Sequence, residues 1–546
     1  MITPLSRLSL IAVAGLAGGC ASLPPERGTD LPTAWVAERG LPTPAWPRDD
    51  GAAALRTPSP SEPVSLEAAL DAAFAHHPAV AEAYAKLGVS RAELDEARRL
   101  ANPRFGFSRL SASEGGAQIT RHVSFGLSDW LMLPIRKRFA EGELKREQFE
   151  AAQTLWTMSG EVEAAWVEAV AAQQVAQMRA LVLEAASASA EFAERLFAAG
   201  NLEPLHREHE RAEAISAGIE AAEAEAEAMA ARHQLALLTG LPFDDSWQLP
   251  DQLPAPLSEL PAANALVERL VQSRFDLLAA QEELRLREDA LGVTRRWRWL
   301  GEVEFEYEWE SEPDGASLRG PALSLELPLF SQGQPAIARA KAELLAAKTE
   351  VNKELRQAER DVRTALAAMH LQQRIIQRYR EALLPAREAI VQRTQEEVNF
   401  MLVGVFELLA AKREQFDAYQ AYLEAIRDYW LARGELTQAV GARWADEGQR
   451  EPVLGIDSVL PPPSQGGHEG GHGAHGRHGA QSSQDEHQGH SGHDSHQGHQ
   501  RQSEDSTDGS DHAGNQHRTH RSSEQQNDTQ QGHDQHQGHD HHGDKP

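Results

Sequence analysis

From residue 65 onward the chain alternates between two hydrophobic rhythms. Long stretches rich in Ala, Leu, Glu and Arg carry apolar residues at helical spacing, and short stretches alternate apolar with polar at every second position. In the first half this predicts a helix over 66–100 with Ser65 as its cap, strands over 104–110 and 122–128, and a very long helix over 139–199. A second long helix follows over 201–239, with Pro204 in its first turn and Gly240 at its end. The second half predicts the same order: a helix over 257–295 broken near Pro261, strands over 301–310 and 322–329, a long helix over 335–401 kinked at Pro385, and a return helix over 405–440 ended by Gly441.

Matched points recur at nearly constant separation. Val80 and Leu277 lie 197 residues apart, Pro134 and Pro328 194, Gly200 and Gly404 204, and Gly240 and Gly441 201. Self-similarity at this scale predicts a duplicated unit, with one repeat over 64–250 and the next over 251–450. The fold class is mainly α with a small β part. Helices of about 60 residues extend roughly 90 Å, longer than a compact domain needs. The 66–100 and 201–239 helices end to end match one such length, which predicts a tall wall two helical layers deep.

The strands bear on where the protein sits. Glu302, Glu304, Glu306, Glu308 and Glu310 share one face of a strand, and Val303, Phe305, Tyr307 and Trp309 share the other. Phe105 and Phe107, Val123, Phe125 and Leu127, and Leu323, Leu325 and Leu327 alternate likewise. An apolar, aromatic face opposite an acidic one suits a strand between lipid and a water-filled lumen. A solvent-exposed hairpin with an acidic face is the competing interpretation. Four strands cannot close a barrel, since the smallest have about eight. The chain would therefore contribute a share to an oligomeric barrel whose subunit number this arithmetic leaves open.

Composition changes the picture at the two termini. The chain has 546 residues, one Cys, 24 His, and 82 acidic against 53 basic residues, a net charge of −29. Such an acidic surface argues against a nucleic-acid partner. A lone Cys excludes a disulfide framework and a Cys-based metal centre. After the N-terminus no apolar run reaches the length of a membrane helix, a criterion that does not apply to barrel strands. Residues 1–19 have the layout of a secretory signal, with Arg7, an apolar core and small residues. Leu16 to Cys20 resembles a bacterial lipobox, which implies acylation of Cys20, and Ala21 after it implies delivery to outer-membrane lipid. Residues 20–63 contain nine prolines and are expected to form an extended, non-helical tether.

The C-terminal 451–546 segment is expected to be a disordered, His-rich tail. Seventeen of the 24 histidines lie there. His487, His490, His493, His496 and His499 recur every third residue, as do His533, His536 and His539, followed by His541 and His542. A flexible chain can wrap several such imidazoles around one divalent ion, and neutral imidazole suits Zn, Cu, Ni or Co. No cofactor is otherwise required. In the body, His206 and His209 sit three residues apart on a helix, most simply as a solvated pair. Nothing in the chain looks catalytic: the body lacks a Cys nucleophile and a glycine-rich phosphate loop.

Several local motifs add a resemblance to the TolC-like outer-membrane efflux proteins over about residues 64–445. They are His76-His77-Pro78-Ala79-Val80, Asn102-Pro103, Leu133-Pro134, Leu327-Pro328-Leu329-Phe330 with Gly333, Ala199-Gly200-Asn201, and Val403-Gly404-Val405-Phe406-Glu407-Leu408-Leu409. Phe275 departs from the pattern, where proline is usual. The resemblance implies a homotrimer, in which twelve strands form one outer-membrane β-barrel on a long periplasmic α-helical barrel. It also implies a periplasmic adaptor and an inner-membrane pump as partners. The adaptor would dock at tips over 195–201 and 400–407, with Gly200, Asn201, Val403, Gly404 and Val405 at the turns. The function expected is a passive exit duct of a tripartite efflux system for divalent heavy-metal cations. The alternatives are the same channel serving drugs or other small molecules, or a periplasmic metal-buffering lipoprotein.

Overall fold

The computed structural model describes residues 27–47, 62–111, 116–244, 246–257, 260–299, 301–326, 329–443 and 453–455. Cys20, the signal segment and every histidine of the tail lie outside the described residues.

Two copies of one motif make up the body. The first comprises α2 (Leu66–His76), α3 (Pro78–Ala97), β1 (Arg104–Ser111), β2 (Ala117–Gly126), α4 (Leu127–Ala198) and α5 (Pro204–Thr239), all preceded by a short α1 (Asp30–Glu38). The second comprises α6 (Ala263–Ser273), α7 (Phe275–Trp297), β3 (Val303–Ser311), β4 (Ser317–Leu325), α8 (Gln334–Arg378), a π segment (Tyr379–Leu383), α9 (Leu384–Asn399) and α10 (Val405–Val440). With 72 residues, α4 runs for about 108 Å. The strands form one antiparallel sheet in the order β1-β2-β3-β4.

The helices pack through a long seam of small and aromatic residues. Trp156, Val162, Trp166 and Val170 of α4 and Tyr419, Tyr422, Tyr429 and Leu436 of α10 are buried, and alanines between them let the helix axes approach closely. Each buried ring with a polar atom has a partner. The indole N–H of Trp166 donates to the carbonyl of Val64 (2.8 Å), and that of Trp430 to the carbonyl of Pro254 (2.8 Å). The hydroxyl of Tyr429 accepts from the N–H of Leu257, and that of Tyr419 donates to the carbonyl of Leu454. The last described residues are thereby tied to the side of α10.

Several boundaries differ from the sequence expectation. The 66–100 helix is two helices, because Pro78 pushes His77 into an extended conformation (φ −65°, ψ 133°) and starts α3 afresh. The break expected near Pro261 falls instead at Arg274 (φ −73°, ψ 122°), the counterpart of His77. The helix expected from 139 begins at Leu127, and Pro134 lies inside it. Upstream of Pro385 the expected kink is the π segment, where the proline lacks the N–H that would continue the α ladder. The strands expected over 122–128 and 322–329 are displaced toward their shared hairpin ends, to Ala117–Gly126 and Ser317–Leu325.

The proline-rich segment is not simply extended. Residues Asp30–Glu38 form α1, whose Pro32 sits in the first turn, where a missing N–H removes no helical hydrogen bond. Trp35 stacks on Phe149 of α4 at 4.5 Å, and Val36 is fully buried. Arg39 just beyond donates to the carbonyls of Ser273 (2.7 Å) and Gly441 (2.9 Å), and its guanidinium lies 3.9 Å from the ring centre of Phe275. The aromatic ring of Phe275 is therefore a packing surface for the N-terminal segment.

Candidate functional site: a two-faced sheet and two exposed tips

Residues directly opposite one another in an antiparallel pair project to the same side of a sheet. The register therefore sorts the sheet into two faces. On one lie Glu304, Glu306, Glu308 and Glu310 of β3, opposite Gly126, Ser124, His122 and Thr120 of β2 and Ser324, Ala322, Gly320 and Leu318 of β4. Glu302, the fifth acid of the run, precedes the strand, and its carbonyl accepts from the N–H of Glu326. The other face carries Phe105, Phe107, Ile119, Val123, Phe125, Val303, Phe305, Tyr307, Trp309, Leu323 and Leu325. Phe105 and Leu323 are 68% and 65% exposed, so this apolar face is uncovered in the single chain. Phe125 stacks on Phe305 at 5.6 Å across the β2–β3 pair.

The acidic face is hydrogen-bonded laterally. Gln118 donates to Glu310, and Nδ1 of His122 lies 3.4 Å from Glu306. The imidazole has room because Gly106 stands opposite it in β1: a Cβ there would fall 2.1 Å from the ring. Sequence inspection missed His122 as a member of this face, because the strand was expected to begin there.

At the opposite end of the long helices, α4 turns into α5 and α9 into α10. Both turns have the same backbone. Gly200 N–H bonds to Phe197 and Asn201 N–H to Leu196; Met401 N–H bonds to Val398 and Leu402 N–H to Glu397. This is the Schellman pattern, whose key residue is left-handed. Gly200 (φ 75°) fills that place in the first turn. In the second it is Met401 (φ 60°), the only non-glycine with positive φ among the described residues. Gly404 is instead the extended residue before α10 (φ −83°, ψ 164°), the equivalent of Glu203 before α5. Pairing Gly200 with Gly404 was thus off by three. The true counterparts, Gly200 with Met401 and Glu203 with Gly404, both lie 201 apart, the separation of Gly240 and Gly441.

The surface of the second tip is apolar. Phe400, Met401 and Leu402 are 77%, 92% and 72% exposed. Just behind them Phe192 and Phe406 meet at 6.2 Å, and Arg413 of α10 pairs with Glu213 of α5. His206 and His209 are exposed, and His209 faces Glu213 at 3.9 Å. No cluster of three or more metal-ligating side chains exists among the described residues. No helix among them is long and apolar enough to cross a membrane.

No protein-family model matches the chain, and no curated protein matches it in sequence. Solved structures do. The outer-membrane channel OprN superposes with a TM-score of 0.59 at 18% identity, covering 69% of this chain and 90% of its own. The outer-membrane protein VceC of Vibrio cholerae does so with a TM-score of 0.57 at 16% identity, covering 69% and 96%. CusC, described in terms of transmembrane channel formation, gives 0.58 at 17% identity, covering 74% and 99%. A paired-strand, long-helix unit repeated twice, matched over nearly the whole length of these proteins, means that the chain has the fold of the TolC-like outer-membrane channels.

Proposed function

We propose that the chain is one subunit of an outer-membrane channel and acts as the passive exit duct of a tripartite efflux system. The observation that carries this is the open sheet. Its two outer strands, β1 and β4, each pair on one side only among the described residues, one face is apolar and uncovered, and the other is acidic. In lipid, unpaired strand edges are untenable and a barrel must close. Edge-to-edge joining of identical chains satisfies both edges, and three copies give twelve strands. The acidic face then lines the lumen, and the long helices extend away from the membrane as a tunnel. The exposed turns at Gly200–Asn201 and Val403–Val405, the second flanked by the apolar Phe400, Met401 and Leu402, are suited to dock a periplasmic adaptor that recruits an inner-membrane pump.

The substrate reading rests on charge. Glu304, Glu306, Glu308 and Glu310 from each of three chains would ring the lumen with carboxylates and favour cations over anions. The histidine tail starts beyond Leu454, which α10 holds, and would gather divalent Zn, Cu, Ni or Co near the tunnel. Acylated Cys20 would hold the assembly on the membrane. The same channel serving uncharged small molecules is the competing reading, and charge selectivity separates the two.

The test is reconstitution of the full chain. Heat-modifiable trimers and single-channel currents in planar bilayers are expected; a monomer that never conducts would overturn the channel. Deletion of residues 461–546 is expected to lower tolerance to at least one divalent metal in a strain that depends on the gene, and unchanged tolerance to all four would remove the tail from the mechanism.

A further inference from the structure

We propose that the outward face of the sheet carries a binding site for the phosphate groups of an outer-leaflet lipid, formed by Arg109, Arg121 and Arg319. The inference rests on the barrel reading above and adds a specific lipid contact to it.

The three arginines lie on the apolar face. Arg121 stands directly opposite Trp309, which stands directly opposite Arg319, so the three side chains form one row across β2, β3 and β4. Arg109 of β1 stands opposite Ile119, one step further toward the hairpin ends. All three arginines are exposed, and none has an ion-pair or hydrogen-bond partner among the described residues. The glutamates cannot neutralise them, because they project from the opposite face. Glu312 and Asp314 lie beyond the row, at the β3–β4 turn.

Height along the strand decides what covers this row. From Val303, the lowest apolar residue of β3, Trp309 is about 20 Å and Ser311 about 27 Å along an antiparallel strand, which at the roughly 40° tilt of barrel strands is about 15 and 21 Å of height. The lipid-facing apolar band of an outer-membrane barrel is about 25 Å tall, with aromatic girdles at its two borders. The lower border is marked by Trp130 and Trp299, which are 65% and 52% exposed beside the strand bases. Counted from that lower girdle, the ten residues from Trp299 to Trp309 rise about 25 Å at the same tilt, so Trp309 and the arginines fall near the upper border. A guanidinium at that depth has no water on its inner side, and its fork of donors matches a phosphate. Arg121 and Arg319 are two strand spacings apart, roughly 10 Å, so one glycolipid with two phosphates can meet both. A zwitterionic headgroup would offer each phosphate an ammonium of its own and leave the arginines weaker partners.

The full-length chain should be placed in phosphatidylcholine vesicles, alone or doped with bisphosphorylated lipid A, and the retained lipid A measured per trimer after extraction. Wild type is expected to retain it. R109Q/R121Q/R319Q is expected to bind it on the order of a hundredfold more weakly, and R104Q, the same charge change on the opposite face, to bind it as wild type does. If the triple variant fails to trimerise, R319Q alone, with an expected loss of about fivefold, carries the comparison. Equal retention by wild type and variant, equal retention of dephosphorylated lipid A, or full displacement by inorganic phosphate would each overturn the proposal while leaving the barrel intact. A wild-type chain that enters neither kind of vesicle would overturn the barrel reading, and the lipid site with it.

Discussion

At the residue scale, His77 joins two helices by a proton-dependent contact. Its Nδ1 accepts the N–H of Ala79 at 3.1 Å, capping α3, and only a neutral ring can do so at that nitrogen. Burial pushes the imidazole below its ordinary pKa, against an opposing pull from Glu161. The folded state therefore binds fewer protons than the unfolded one, so this contribution is complete above about pH 6.5 and is lost as pH falls toward the folded value. H77A should cost about 1 kcal/mol at pH 8, the usual scale of a lost cap, and progressively less as pH falls below about 6.5, in urea unfolding followed by circular dichroism. The two tip turns make a matched pair of tests. G200A has open space around it, so its cost is backbone strain alone and should be about 1 kcal/mol. M401G should change stability by a similar amount in the opposite direction. M401G should nonetheless impair efflux in cells if the exposed methionine contacts an adaptor, a split between stability and function that a purely geometric turn would not produce.

Among the elements, α1 and the strand ends show where periodicity is readable. The return helix α10 was legible to the residue, because Gly404 and Gly441 bracket an unbroken helical stripe. The missed parts have specific causes. Arg121, Arg319 and Pro321 interrupt the apolar face, so counting apolar alternation discards the upper halves of β2 and β4 that the hairpin register restores. The acidic face was legible because four of its members fall in one strand, whereas His122 joins them only through pairing between distant segments. In the tip, a glycine was an obvious marker but Met401 was the left-handed residue, which no composition rule detects. Helix α1 is hidden in the sequence because Pro32 belongs to a proline-rich stretch yet sits in the first turn, where proline is tolerated. That helix gives its own prediction. Arg39 satisfies carbonyls from two separate segments, so R39A should release the N-terminal segment to limited proteolysis and cost roughly 3 kcal/mol. R39K should not restore it, because one ammonium cannot reproduce the fork or stack on Phe275.

On the scale of the whole molecule, the acidic face predicts selectivity. In planar bilayers the wild-type channel should prefer potassium over chloride, and E304Q/E306Q/E308Q/E310Q should bring that preference toward unity with conductance largely retained. Measured reversal potentials in a salt gradient would decide it; an unchanged ratio would place the selectivity elsewhere. The docked N-terminal segment sets a further limit on the assembly. The amide of Gln148 donates to the carbonyl of Gly28 at 2.7 Å, which pins the chain at a definite height on α4. From Trp130 at the proposed membrane border to Gln148 is about 27 Å along the helix. Eight Cα-to-Cα steps lead from Cys20 to Gly28, and they reach about 28 Å at full extension. With Cys20 acylated as proposed, that leash has almost no slack. It would act as a plumb line that fixes how deeply the strands sit in the bilayer. Shortening it by three residues should drag the body toward the membrane or tear α1 from its seat, whereas lengthening it should cost nothing.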